Sequence, residues 1–68
     1  MVDKKTHPFA EWRKLQRKTQ EALADELGVA TSTLIKWEHG TRRPRRNMQI
    51  AIERLTGGTI SPATWAHY

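Results

Sequence analysis

The sequence predicts an all-α fold: a compact domain of four helices and a short fifth, two of them joined as a helix-turn-helix. Three observations carry that prediction. Apolar residues recur at spacings of three and four, as in Phe9-Trp12-Leu15, Leu23-Leu27 and Leu34-Trp37. Residues that start or stop helices stand between these stretches, namely Pro8, Thr19, Gly28, Gly40, Gly57-Gly58 and Ser61-Pro62. No stretch of useful length alternates apolar and polar residues as a half-buried strand does.

Taken in order, residues 1–7 are polar and charged and read as a flexible N-terminal arm, with residues 8–68 as the folded domain. A first helix is expected from about Pro8 to Arg17, burying Phe9, Trp12 and Leu15; proline suits a first turn because its missing N–H would be unused there. Thr19 is a good N-cap for a second helix with Ala22, Leu23 and Leu27 as its buried stripe, and Glu21 near its start agrees with the helix dipole. Gly28 stops that helix as a residue free to take positive φ, and Val29 can tuck between the two helices. The third helix begins at Ala30 or Thr31 and ends near His39, before Gly40. After the loop 41–46, a fourth helix from about Asn47 to Leu55 buries Met48, Ala51, Ile52 and Leu55. Ser61-Pro62 then opens a short turn carrying Trp65. The helical spacing of Trp12, Trp37 and Trp65 favours core packing over base stacking, although Trp65 with His67 and Tyr68 could form part of a dimer surface.

Composition narrows the function. With 68 residues the chain makes one small domain with a modest core. It has no cysteine, and His7, His39 and His67 lack ligand spacing, so neither a disulfide nor a metal site is expected. No apolar run reaches the roughly 20 residues a bilayer requires, so no membrane association and a cytoplasmic location are expected. No acid–base pair, nucleophile constellation or phosphate-cradling glycine loop occurs, which leaves no catalytic residue, cofactor or small-molecule ligand indicated. Twelve basic residues against seven acidic ones give a net charge of +5, which favours an anionic partner. The distribution is more informative than the sum: no acid lies between His39 and Ile52, while Arg42, Arg43, Arg45 and Arg46 flank Pro44.

The segment 19–40 meets the requirements of a helix-turn-helix together. Ala24 supplies a small residue where the second helix crosses the first, Gly28 the turn, Val29 an apolar plug, and Leu34 and Trp37 the inward face of the second helix. The run Gln20-Glu21-Ala22-Leu23-Ala24-Asp25-Glu26-Leu27-Gly28-Val29, with Leu34, Trp37, Glu38 and Gly40-Thr41-Arg42-Arg43-Pro44, resembles the lambdoid phage repressor and Cro family, also known as xenobiotic-response-element type regulators. The resemblance covers roughly Phe9 to Trp65 and implies a lambda-repressor-like domain that binds double-stranded DNA. Three positions depart from it. Arg17 and Lys18 stand where many members carry glycine and an apolar residue, and Ala30 replaces a capping serine or threonine.

Side-chain directions follow from the 100° turn per residue of an α-helix. With Leu34 and Trp37 inward, Thr31, Ser32, Ile35 and Lys36 point outward and are candidate base contacts, since the start of the second helix of this motif faces base edges. Ile35 suits a thymine methyl, or alternatively packs sideways onto the fourth helix or the loop. The resemblance adds Gln20 at the edge of a half-site. Candidate phosphate contacts are Thr19 at a helix N-terminus, His39, Lys18, and the loop arginines Arg42, Arg43, Arg45 and Arg46. The resemblance also pairs Arg13 with Glu38 as an internal, structural ion pair. It implies a Cro- or repressor-like regulator binding a pseudo-palindromic operator as a homodimer. The alternative is an antitoxin or phage accessory protein that uses the same fold to bind a protein.

Overall fold

The computed structural model describes residues 7–66, and all of the regular structure among them is helical. Five helices follow in order: α1 (Pro8–Leu15), α2 (Gln20–Leu27), α3 (Thr31–Glu38), α4 (Arg46–Leu55) and α5 (Pro62–Ala66). The all-α expectation of four helices and a short fifth is met, with α1 ending two residues earlier than expected and α4 starting one residue earlier. The first six residues of the expected arm, and the His67-Tyr68 end, lie outside the described residues.

Local chemistry explains most of the boundaries. Thr19 caps α2, its Oγ1 accepting the Ala22 N–H at 3.0 Å. Gly28 closes α2 in the left-handed region at φ 70°, its N–H and that of Val29 satisfying the carbonyls of Asp25 and Ala24. The end of α3 repeats this solution: Gly40 has φ 75°, and Thr41 donates both its N–H and its hydroxyl to the Lys36 carbonyl. Arg17, after the α1 C-cap Gln16, takes φ 56°, a conformation a glycine enters without strain. The departure from the family pattern at this position therefore puts an arginine at a left-handed residue, and that backbone conformation is incompatible with continuing α1 through Arg17.

The core gathers one or two residues from each element: Phe9, Leu23, Ala24, Leu34, Trp37, Ile52, Ile60 and Trp65, with Trp12, Leu27, Val29 and Met48 packed against it. The aromatic part is a small stack, with the Phe9 ring edge-on to Trp65 at 5.8 Å and near-parallel to Trp12 at 6.0 Å. Trp65 is 2 % exposed, a core residue rather than a surface one.

Several expected core positions are turned out. Ala22 and Ala51 are exposed, Leu55 is 37 % exposed and Leu15 is 78 % exposed. Each lies beside the true stripe of a short helix: among the described residues Ala22, Ala51 and Leu15 are left largely uncovered, and Leu55 only in part. His7 is the opposite case. Read as the last residue of a flexible arm, it is 1 % exposed and caps α1, with Nδ1 accepting the Phe9 N–H at 3.0 Å. Its ring stacks on Trp65 at 3.8 Å, and its backbone N–H reaches the Glu38 carbonyl at 2.8 Å. Burial lowers its pKa to about 4, a hydrogen bond to the Thr64 backbone partly opposing the shift.

Candidate nucleic-acid interface

The second helix of the helix-turn-helix is positioned from both ends. Against α2 it packs Leu34 and Trp37, both buried, and Val29 fills the turn beneath them. With that face inward, Ser32 and Lys36 are exposed, whereas Thr31 and Ile35 are half-buried. Ala30 is the N-cap but offers no side-chain acceptor, so the first amides of α3, at Thr31 and Ser32, have no partner within the helix. The uncapped end therefore presents N–H donors beside the Thr31 and Ser32 hydroxyls. A capping serine would have satisfied one of them.

The far end of α3 is held by a polar network. Arg13 of α1 grips Glu38 with two nitrogens, Nε at 2.7 Å and Nη2 at 3.2 Å. Its Nη1 donates to the Lys18 carbonyl at 2.9 Å. Glu38 is 2 % exposed, and a carboxylate this buried requires a fixed counter-charge. The pairing implied by the resemblance is thus present. Gln20 joins it, with Nε2 donating to Glu38 Oε1 at 3.1 Å. Since a carboxylate only accepts, this bond turns the Gln20 amide nitrogen toward Glu38, and its carbonyl oxygen remains as the acceptor.

A groove beside this network is lined by Ala10, Arg13, Lys14, Thr19, Gln20, Glu38 and His39. It brings together three of the candidate contacts, Thr19, Gln20 and His39, and adds Lys14. No spacing rule distinguished Lys14 from its basic neighbours in the sequence; only the packing of α1 against α3 places it there. Lys18 is not in this set. Its Nζ lies 2.7 and 2.8 Å from the two carboxylate oxygens of Glu26 and 6.0 Å from the Trp12 ring centroid.

The loop between α3 and α4 is pinned at its centre. Pro44 is buried, and its carbonyl accepts the Gln49 side-chain amide at 2.9 Å. Arg42, Arg43, Arg45 and Arg46 around it are all exposed, and among the described residues none of the four forms an ion pair. Four unneutralised guanidinium groups on a backbone anchored by a buried proline form a preorganised cationic rim. Among the described residues no group of histidine and acidic side chains could hold a metal, and no helix is long and apolar enough to cross a membrane.

The helix-turn-helix family model HTH_3 matches residues 9–62. No match was found among curated proteins or among solved structures. The matched span runs from Phe9 at the start of α1 to Pro62 at the start of α5, so it takes in the motif, the arginine loop and nearly all of the core. The chain belongs to the Cro/C1-type helix-turn-helix family of DNA-binding regulators and has its lambda-repressor-like fold.

Proposed function

We propose that this protein is a sequence-specific transcriptional regulator that places the start of α3 in the major groove of a pseudo-palindromic operator. The observation that carries this reading is the division of labour around α3. Among the described residues, the side chains of Ser32 and Lys36, with Thr31 and Ile35 beside them, make no internal hydrogen bond, while the far end of the helix is locked by Arg13 and Glu38. Ser32 and Thr31 hydrogen-bond base edges or the flanking phosphate, Lys36 reaches a guanine O6 or N7, and Ile35 meets a thymine methyl. Thr19, Lys14 and His39 hold one phosphate strand, with Gln20 at its edge, and Arg42, Arg43, Arg45 and Arg46 hold the other side of the site. Lys18, already neutralised by Glu26, contributes least.

One such domain covers only a half-site, and two copies about 34 Å apart on the duplex supply the rest of the affinity. Ala51 and Leu55, one turn apart on α4 and both exposed, are the surface proposed for pairing two copies on DNA. The alternative is a protein-binding module on this fold, for which the exposed polar and cationic side chains around α3 offer less than they do for a nucleic-acid backbone.

Salt titration of duplex binding tests the reading. Removing one phosphate-binding charge lowers the slope of log affinity against log salt by about 0.9. Arg43→Gln with Arg45→Gln is expected to flatten the slope by about 1.8 per half-site, about 3.6 for two copies on one operator, and leave sequence preference intact. Lys36→Ala is expected to relax preference at one base pair, at a cost of about 1–3 kcal/mol on the best site. Duplex affinity unchanged by all three substitutions contradicts the proposal.

A further inference from the structure

A second feature of the arginine loop is unused by any contact to a phosphate backbone. Between α3, the loop and the start of α4 lies an open cleft of about 360 Å³, lined by Val29, Thr33, Trp37, Arg42, Arg43, Pro44, Arg45, Asn47 and Met48. Its chemistry is split. Val29 and Met48 are half-buried and pack on the core beside Trp37, so they and Pro44 make an apolar floor. Arg42, Arg43 and Arg45 make a cationic rim, and no acid is among the residues that line the cleft. Asn47 turns its Oδ1 to the Met48 N–H at 2.9 Å, which leaves its amide NH2 as a donor at the same rim.

A phosphodiester backbone satisfies the rim and has nothing to place on the floor. A hydrophobic side chain or neutral ring satisfies the floor and leaves the rim repelling itself. The molecule that satisfies both is an organic anion with a flat apolar body and a carboxylate or sulfonate at one end. The cleft lies within the ~300–1,000 Å³ typical of small-molecule sites. We propose that this cleft binds small amphiphilic anions, with the apolar body on Val29, Trp37 and Met48 and the anionic group on Arg43, Arg45 and Asn47. Because the same arginines are assigned to DNA phosphates, an occupied cleft weakens DNA binding; that coupling, unlike the site itself, rests on the function proposed above.

The test is titration of the full chain with 2-naphthoate, followed by NMR at the Val29 and Met48 methyls and the Trp37 indole. Saturable shifts at those three residues are expected. Binding should fall about tenfold or more in Arg43→Gln/Arg45→Gln, in line with the loss of charge-assisted hydrogen bonds. The uncharged 2-naphthamide should lose a similar factor. Shifts confined to the surface arginines, equal shifts with inorganic phosphate, or no saturation would each overturn the site. A competition arm separates the two proposals. Saturable probe binding by a protein that binds no duplex keeps the site and removes the DNA reading. Duplex binding without probe binding does the reverse. Probe and duplex binding together with no mutual weakening would overturn the coupling.

Discussion

Arginine does opposite work in two regions of this molecule. At the junction of α1 and α3, Arg13 is mostly buried, grips Glu38 with two nitrogens and holds the Lys18 carbonyl with a third. In the loop before α4, Arg42, Arg43, Arg45 and Arg46 are exposed and have no acidic partner among the described residues. The first region spends its charge inside the fold, where removal of one partner strands the other. The second leaves its charge exposed, free for the outside anion proposed above. Residue type alone says nothing about which role an arginine has; the presence of Glu38 within reach of Arg13, and the lack of an ion pair to the loop arginines among the described residues, separate the two.

The sharpest way to break this contrast is Glu38→Ala, which leaves the Arg13 guanidinium without its counter-charge. It is expected to cost about 3–5 kcal/mol in urea unfolding. A loss under about 1 kcal/mol would mean that the junction is solvated and that the two regions do not differ.

Acid acts on the same junction through His7, whose backbone N–H binds the Glu38 carbonyl. Its pKa falls from 6.5 to about 4 on folding, so the unfolded chain takes up a proton first. His7 therefore contributes fully above pH 6.5, and its contribution is lost as pH falls from there to about 4, reaching roughly 3 kcal/mol. His7→Asn keeps a side-chain acceptor for the Phe9 N–H and cannot titrate. Wild type should lose more stability than this variant between pH 7 and pH 4.5, and parallel losses would remove His7 as the cause.

Arg17 sharpens the comparison from a third side, as an arginine held in a left-handed backbone without an inward partner. Arg17→Gly is expected to stabilise the chain by up to about 1 kcal/mol, the relief of strain exceeding the entropy glycine loses. The smallest effect belongs to the loop. Arg43→Gln with Arg45→Gln should leave unfolding within about 0.5 kcal/mol of wild type, while changing the salt slope of DNA binding. A large loss of stability would show the loop arginines to be structural.

Much of this was legible in the sequence because the motif is local. Thr19, Gly28 and Gly40 set boundaries through their own backbone and side-chain chemistry, and the inward direction of Leu34 and Trp37 follows from helix geometry alone. What was misread depends on which element crosses where. Spacing gives the angle of a stripe but not its width, so Ala22, Ala51, Leu15 and Leu55 read as buried positions although they are exposed, Leu55 only in part. His7 is buried through Trp65, near the other end of the chain, and no local pattern connects the two. Within the candidate site, the Arg13–Glu38 pair was accessible through family resemblance. The attachment of Gln20 to Glu38, the pairing of Lys18 with Glu26 and the entry of Lys14 into the groove needed the packing of α1 against α3.

In the proposed mode, exposed residues at the start of α3 read sequence while the arginine loop supplies affinity without reading. Selection of bound duplexes from a random pool by the full chain tests it most directly. Enrichment is expected of a pseudo-palindrome whose half-site centres lie about 34 Å apart, with Lys36→Ala changing the enriched bases and Arg43→Gln/Arg45→Gln leaving them the same. No enriched sequence, or a motif altered by the loop substitutions and untouched by Lys36→Ala, would contradict it.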